Sequence, residues 1–157
     1  NLISKKCWED AREEADDLLE RQIDVDIQGY DIDGQCIQYA RENARLAGVE
    51  SMIHFQQRPV SQLSHSRRYG FLVCNPPYGE RLDEQGDLDA LYRELGQAYE
   101  RLDSWSMYLL TAYERAERAI GRKADKNRKV YNGMLKAYYY QFLGPAPHNR
   151  NNPAALA

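Results

Sequence analysis

The chain has 157 residues, which is enough for one compact domain with a hydrophobic core and too short to predict two. Hydrophobic residues make up 43% and charged residues 29% of the sequence, which is typical of globular proteins and excludes disordered and fibrous classes. It has no apolar run long enough to cross a bilayer and no secretory signal, so we expect a cytoplasmic protein without membrane contact. The three cysteines and three histidines form no disulfide or ligand pattern, and we predict no metal site.

Charge is unevenly distributed, although the net charge is only −3. Residues 1–33 hold eleven acidic and four basic side chains, whereas residues 115–136 hold eight basic and two acidic ones. A local basic surface binds phosphate even on an acidic protein. A solvated basic helix and loop explain the same pattern equally well.

The first half of the chain predicts alternating helices and strands. Apolar residues at helical spacing predict an amphipathic helix over residues 5–22, and a strand follows at about residues 25–30. A second helix, with its apolar positions between residues 37 and 47, ends at Gly48, a typical C-terminal cap. The next strand contains Ile53 and Phe55 and ends before Pro59.

The second half continues this alternation and then changes it. The run 69–74 is continuous and apolar, as in a parallel strand buried on both faces. Further predicted elements are a helix over 88–102, a strand at 106–111, a helix near 114–121 and a hairpin of 128–131 with 134–142. The hairpin would turn at Asn132-Gly133 in type I′ geometry. We expect an α/β fold whose mostly parallel sheet ends in an antiparallel hairpin, a domain over residues 1–144 and a flexible tail over 145–157.

The sequence Asn75-Pro76-Pro77-Tyr78 follows the buried strand, where ligands of open α/β sheets gather. The two prolines stiffen the loop and remove two backbone donors, so carbonyl oxygens and the Asn75 amide are left as acceptors, beside the flat ring of Tyr78. Such a group accepts the protons of an exocyclic amine, stabilises positive charge on its nitrogen and favours methyl transfer to it. The alternative interpretation is a rigid turn without chemistry.

An acidic residue also ends the first predicted strand. Asp31 is placed to accept hydrogen bonds from ribose hydroxyls of a nucleotide-like cofactor, and Ile32 to pack on its adenine. Asp is equally a helix N-cap, which is our interpretation of Asp33.

These motifs together resemble one family. The sequences Gly29-Tyr30-Asp31-Ile32-Asp33, NPPYGERL at 75–82, and 122–133 are similar to the methyltransferase domain of bacterial THUMP-containing 23S rRNA guanine-N2 methyltransferases, often labelled N6-adenine-specific DNA methylases. The resemblance covers about residues 5–147. It implies a Rossmann-like class I fold, S-adenosylmethionine as cofactor and 23S ribosomal RNA as partner.

The resemblance also implies roles for single residues. Cofactor-binding residues would be Asp31, Ile32, Val60 and Asn75; catalytic residues Asn75, Pro76 and Tyr78; and substrate-binding residues Pro77, Tyr78, Arg81, Arg122 and Lys123. Asn75 and the Pro76 carbonyl would hold the target amine, while Tyr78 would stack on the base.

The sequence departs from this family in two respects. The 157 residues contain neither the family's first strand with its glycine-rich loop nor its THUMP domain, and whether a longer chain supplies them is left open. We expect a partial methyltransferase domain that binds cofactor weakly or undetectably alone, and with micromolar affinity if the first strand belongs to the protein. Adenine N6 in DNA and protein glutamine remain alternative acceptors, because they share the NPPY chemistry. A non-catalytic RNA-binding module is the alternative from another class. The oligomeric state is left open.

Overall fold

A computed structural model describes residues 3–20, 25–78 and 88–147, and every predicted helix and strand is present within them. In chain order the elements are α1 (Lys5–Asp17), β1 (Ile27–Asp31), α2 (Gly34–Leu46), β2 (Ile53–Gln57), β3 (Phe71–Cys74), α3 (Leu88–Glu100), β4 (Ser106–Thr111), α4 (Ala116–Ile120), β5 (Lys126–Asn132) and β6 (Leu135–Phe142). The first helix ends at Asp17, five residues earlier than predicted. In the described part of the chain, no helix is long and apolar enough to span a membrane.

The strands β1 and β2 form a parallel pair with α2 packed against it. The helix begins where the Asp33 side chain accepts a 2.8 Å hydrogen bond from the Gln35 amide. It ends at Leu46 and is capped at Gly48, whose φ of 72° lets the Val49 amide donate back to the Ala44 carbonyl at 2.9 Å. Both predicted helix boundaries are therefore confirmed by their capping interactions.

The other four strands form a second sheet in the order β3-β4-β6-β5. β3 and β4 run parallel, whereas β6 is antiparallel to β4 and forms a hairpin with β5. The predicted combination of parallel strands with an antiparallel hairpin is confirmed.

The turn of this hairpin differs from the predicted one by one residue. Asn132 pairs with Leu135, so the two loop residues are Gly133 and Met134. A type I′ turn needs a positive φ at both loop residues, but here only Gly133 has one, at 60°. The type I′ prediction was wrong, and a positive φ at the first loop residue is the type II′ arrangement.

The core lies on one face of the four-stranded sheet, beneath α3 and α4. Its buried side chains come from both helices, β4 and β6: Tyr92, Leu95, Tyr99, Met107, Leu109, Ala116, Ile120, Tyr140 and Phe142. On the opposite face Phe71 and Val73 are 68% and 75% exposed. The prediction that this strand is buried on both faces was wrong, because no described element covers that second face.

The segment between β2 and β3 ties the two sheets together. Its short turn at Val60–Gln62 packs against α3, and Arg101 donates a 2.7 Å hydrogen bond to the Ser61 carbonyl. Further along, the Trp105 indole N–H donates to the Arg67 carbonyl at 2.7 Å. These bonds place β1 beside β3, although no ladder joins the two strands.

Candidate active site

A cleft of about 520 Å³ lies between β1 and β3. Its lining includes the carboxyl ends of both strands and the loops that follow them: residues Gln28 to Ile32, Arg58 to Val60, Leu63, Leu72 to Pro77, and Leu91, Glu94 and Leu95 of α3. The cleft also runs along the strand edges, where neither β1 nor β3 has a ladder partner on that side in the described chain. The two predicted motifs, Asp31-Ile32 and Asn75-Pro76-Pro77, therefore meet in one cleft.

The backbone at Asp31 and Ile32 is fixed by neighbouring polar contacts. The Asp31 carbonyl accepts a 2.8 Å bond from the Arg58 amide, and the Ile32 carbonyl a 2.9 Å bond from the Gln57 side chain. One carboxylate oxygen of Asp31 accepts the Asp33 amide at 2.8 Å. No hydrogen bond to its second oxygen is found in the described residues, and Ile32 is 71% exposed. Both side chains are available to a ligand in the cleft.

Val60 also lines the cleft, and its contact with the cofactor stays a prediction. It follows Pro59 at the start of the short turn, is partly buried and packs against the main core. Arg58, beside it, was not predicted from the sequence; its guanidinium lies 5.1 Å from the centre of the Tyr30 ring. Leu91 and Glu94 were also missed, although their three-residue spacing on α3 puts them on one helix face.

The loop after β3 presents polar groups to the cleft. Asn75 is exposed, and among the described residues no hydrogen bond to its side-chain amide is found, whereas Pro76 and Pro77 are partly buried. Tyr78 is also partly buried and lies close enough to the Tyr92 hydroxyl to contribute to its raised pKa. The amide of Asn75 is thus free to contact a bound group.

Tyr92 of α3 lies behind this loop and was not predicted as a site residue. Its side chain is fully buried, its hydroxyl lies 3.3 Å from the Pro77 carbonyl oxygen, and it also bonds the Thr111 hydroxyl. Burial raises the pKa of Tyr92 to about 12. The helical spacing of α3 predicts a buried position, but it contains no signal for the contact with Pro77.

Cys74, immediately before the loop, lines the same cleft. Burial raises the pKa of its thiol to about 12. A cysteine nucleophile acts as the thiolate, so Cys74 is a packing residue rather than a reactive one at neutral pH.

The structure does not bring the predicted basic residues to this cleft. Arg122 bonds Asp125, the Leu143 carbonyl and the Tyr99 hydroxyl. Leu143 follows Phe142, which pairs with Met107 near the amino end of β4, whereas Asn75 follows the carboxyl end of β3. Arg122, with Lys123 next to it, thus lies at the amino end of β4, the end of the sheet opposite to the cleft. Arg81 lies outside the described residues.

A partly parallel sheet that ends in an antiparallel hairpin, with its cleft at the carboxyl ends of parallel strands, defines a Rossmann-like methyltransferase fold. The sequence matches the family described as UPF0020, RMKL-like, methyltransferase domain, over residues 2–141. The chain belongs to this family, which confirms the resemblance and the fold class.

Individual relatives agree with this assignment. YpsC of Bacillus subtilis (strain 168), provisionally named an RNA methyltransferase, is 44% identical over 140 residues, which cover 89% of this chain and 36% of YpsC. Ribosomal RNA large subunit methyltransferase K/L of Legionella pneumophila (strain Corby) is 36% identical over 94% of this chain and 21% of its own length. A crystal structure of SMU.472, provisionally named a methyltransferase and complexed with SAH, matches with a TM-score of 0.82 at 39% identity, over 92% of this chain and 38% of that one.

Proposed function

We propose that this chain provides the target-amine half and part of the cofactor half of an S-adenosylmethionine-dependent RNA methyltransferase. Its acceptor is the exocyclic N2 of a guanine in 23S ribosomal RNA. The observation that carries the proposal is the meeting of Asp31-Ile32 with Asn75-Pro76-Pro77 in one cleft. The whole protein's activity is inferred here from a chain that spans 36% of YpsC and 21% of the K/L enzyme.

The residues of the cleft fit the adenosine part of S-adenosylmethionine. The free carboxylate oxygen of Asp31 would accept a ribose hydroxyl, and the exposed side chain of Ile32 and partly buried Val60 would enclose the adenine. The cleft volume of about 520 Å³ lies within the range of about 300–1,000 Å³ that is common for cofactor sites. When bound, the cofactor supplies an electrophilic methyl group on its sulfonium.

The Asn75 amide oxygen and the Pro76 carbonyl act on the acceptor. The lone pair of an exocyclic base amine is delocalised into the ring, so the amine is a weak nucleophile. Two acceptors that each take one N–H draw the nitrogen toward a tetrahedral shape and stabilise its growing positive charge. Asn75 is neutral and does not act as a general base. It contributes to the rate by orienting the amine for attack on the methyl group.

Tyr78 would hold the base itself. A base inside a duplex cannot reach this cleft, so it must be flipped out at a cost of a few kcal/mol. Stacking on an aromatic ring returns about 1–3 kcal/mol per base.

The preference for RNA rests on the relatives. YpsC and the K/L enzyme carry names of RNA methyltransferases. A crystal structure from Listeria monocytogenes str. 4b F2365, which is 43% identical over 90% of this chain and 36% of that one with a TM-score of 0.78, is instead named as a predicted N6-adenine-specific DNA methylase. Methylation assays with unmodified 23S rRNA, DNA and a protein release factor distinguish the acceptors. Product that contains N2-methylguanine supports the proposal, and product on adenine or glutamine overturns the guanine assignment. Ribosomal RNA as substrate implies a cytoplasmic protein.

The catalytic assignment is tested with Asn75→Ala in the protein expressed at the full length of its reading frame. We expect methyl transfer to be abolished while cofactor affinity stays nearly unchanged, because the amide contacts the acceptor. Asn43→Ala is the matched control, since Asn43 is an exposed asparagine of α2. Full activity of Asn75→Ala contradicts the assignment.

A second candidate function is a non-catalytic RNA-binding module. The observation that favours it is that, within the described residues, the facing edges of β1 and β3 have no ladder partner, so the cleft between them is not closed by a strand. Calorimetric titration of the 157-residue chain with S-adenosylmethionine decides between the two. Saturable binding excludes a module without a cofactor pocket.

A further inference from the structure

The hydroxyl of Tyr92 joins helix α3 to the loop that carries the proposed acceptor site. Tyr92 is fully buried, and its hydroxyl lies 3.3 Å from the Pro77 carbonyl oxygen. The second partner of the hydroxyl is Thr111, a fully buried residue at the carboxyl end of β4. One phenol thus connects a helix, a strand and the loop.

The direction of these bonds follows from the groups involved. A carbonyl oxygen only accepts, so Tyr92 donates its single proton to Pro77. Thr111 must then donate to the Tyr92 oxygen, while its own oxygen accepts the Tyr113 amide at 3.0 Å. The result is a chain of donors from the Tyr113 amide to the Pro77 carbonyl. With its pKa raised to about 12, the phenol keeps its proton at neutral pH.

A tether at the Pro77 carbonyl fixes what the proline rings leave free. Each ring fixes φ, but ψ of Pro77 can still rotate, and its rotation moves Tyr78 relative to Asn75. A carbonyl that is bonded to a buried phenol holds that torsion. The same hydrogen bond engages the Pro77 oxygen, so the Pro76 oxygen is left as the backbone acceptor of the loop.

We propose that Tyr92 is a positioning residue that holds Asn75, the Pro76 carbonyl and Tyr78 in the geometry for methyl transfer. This inference rests on the proposed function and deepens it, since Tyr92 acts through the loop and touches no substrate. Thr111 orients the Tyr92 hydroxyl toward Pro77 by donating a hydrogen bond to the phenol oxygen.

The same helix contains a matched control. Tyr99 is also buried, and its single hydroxyl proton is shared between two backbone carbonyl oxygens, those of Trp105 at 2.9 Å and Phe142 at 3.1 Å. These carbonyls lie at the amino end of β4, away from the loop. Tyr99→Phe therefore removes a buried phenol of the same kind without touching the acceptor site.

The test compares Tyr92→Phe with Tyr99→Phe in the protein expressed at the full length of its reading frame, with 23S rRNA and S-adenosylmethionine as substrates. Displacement of reacting groups by about 1 Å costs on the order of 100-fold in rate. We expect Tyr92→Phe to lower kcat by about 10- to 100-fold with little change in KM for RNA or in cofactor affinity. Tyr99→Phe should retain kcat. Equal losses in both variants, or a kcat of Tyr92→Phe within about twofold of wild type, overturn the proposal.

A second measurement does not depend on activity. The HNCO cross-peak of the Tyr78 amide reports the carbonyl carbon of Pro77, which moves upfield when its hydrogen bond is lost. We expect this shift in Tyr92→Phe but not in Tyr99→Phe, and its absence in Tyr92→Phe overturns the tether. If the shift occurs but wild type methylates none of the acceptors, the proposed function fails while the tether stands.

Discussion

Gly96 of α3 lies directly against the backbone of Ile120, the last residue of α4. A Cβ atom built on Gly96 would be 2.4 Å from the Ile120 carbonyl oxygen, a distance that real side chains do not reach. The two helices cover the core face of the sheet. Helix α3 also contains Tyr92, whose hydroxyl bonds the Pro77 carbonyl in the loop after β3. Packing at Gly96 thus supports the site from a distance.

We expect Gly96→Ala to destabilise the protein. Overpacking of this kind costs about 1–3 kcal/mol, which exceeds the gain in helix propensity of about 0.8–1.0 kcal/mol. The free energy of unfolding in denaturant measures the effect. Gln97→Ala, at the adjacent exposed position, is the control and should be neutral or slightly stabilising. An unchanged midpoint for Gly96→Ala would show that the helices separate without cost.

A hydrogen bond joins His65, in the segment between β2 and β3, to Asp26, which directly precedes β1. The Nδ1 atom of His65 accepts the Arg67 amide at 3.0 Å, so Nε2 carries the proton that it donates to Asp26 at 3.1 Å. The hydrogen bond from Gln28, and after it that from His65, holds the pKa of Asp26 below its ordinary value of 3.8. The ionised carboxylate therefore favours the folded state.

The sign of the pH dependence follows from this direction. A carboxyl whose pKa is lowered by folding stabilises the protein above its unfolded pKa, and the contribution is lost as pH falls through its folded pKa. We expect Asp26→Asn to lower the denaturation midpoint at pH 6 and to differ less from wild type at about pH 3. Glu13→Gln on the exposed face of α1 is the control. An equal deficit at both pH values would refute the role of the charge.

Asp31 and Asp33 offer a matched pair for the cofactor site. Both accept a backbone amide at 2.8 Å through one oxygen, and Asn preserves that bond at either position. Only the Asp31 side chain lines the cleft. We expect Asp31→Asn to weaken binding of S-adenosylmethionine by about 10-fold or more, because a bond to a charged group is replaced by one to a neutral group. Titration calorimetry should show no such loss for Asp33→Asn.

Much of the fold follows from local sequence signals. The caps at Asp33 and Gly48 and the short apolar strands act over a few residues, so their patterns predict these elements. The exposure of Phe71 and Val73 could not be predicted, because an apolar run reports the preference of a strand and not which neighbours cover it. The turn at Gly133 was displaced for a related reason: the ladder register decides which two residues form the loop.

The site was partly predictable for the same reasons. Asp31 and Asn75 each follow a strand, and parallel strands bring their carboxyl ends together. Tyr92 lies on a helix that follows the loop, and its contact with Pro77 depends on how α3 packs across the sheet. The RNA-binding role of Arg122 stays a prediction, since membership of the basic stretch 115–136 carries no information about which end of the sheet a residue reaches.

The basic residues of the stretch 115–136 can be divided by experiment into structural and RNA-binding residues. Arg122 is held by Asp125, the Leu143 carbonyl and Tyr99. We expect Arg122→Ala to lower the free energy of unfolding by about 1–2 kcal/mol, because these hydrogen bonds are lost. The cost stays modest because the guanidinium is 43% exposed and solvent screens its interactions.

Lys126 and Arg128 are exposed on the edge strand β5, and no ion pair to either is found in the described residues. Each phosphate contact contributes about 0.7–0.9 to the slope of log affinity against log salt concentration. If both residues contact RNA, the double variant K126A/R128A lowers that slope by roughly 1.4–1.8 without loss of stability. Fluorescence anisotropy with a labelled 23S rRNA fragment at several salt concentrations measures the slope. Since the Arg122 guanidinium is already engaged, Arg122→Ala should leave the slope unchanged, and a slope that falls in Arg122→Ala alone would return this residue to the RNA-binding surface.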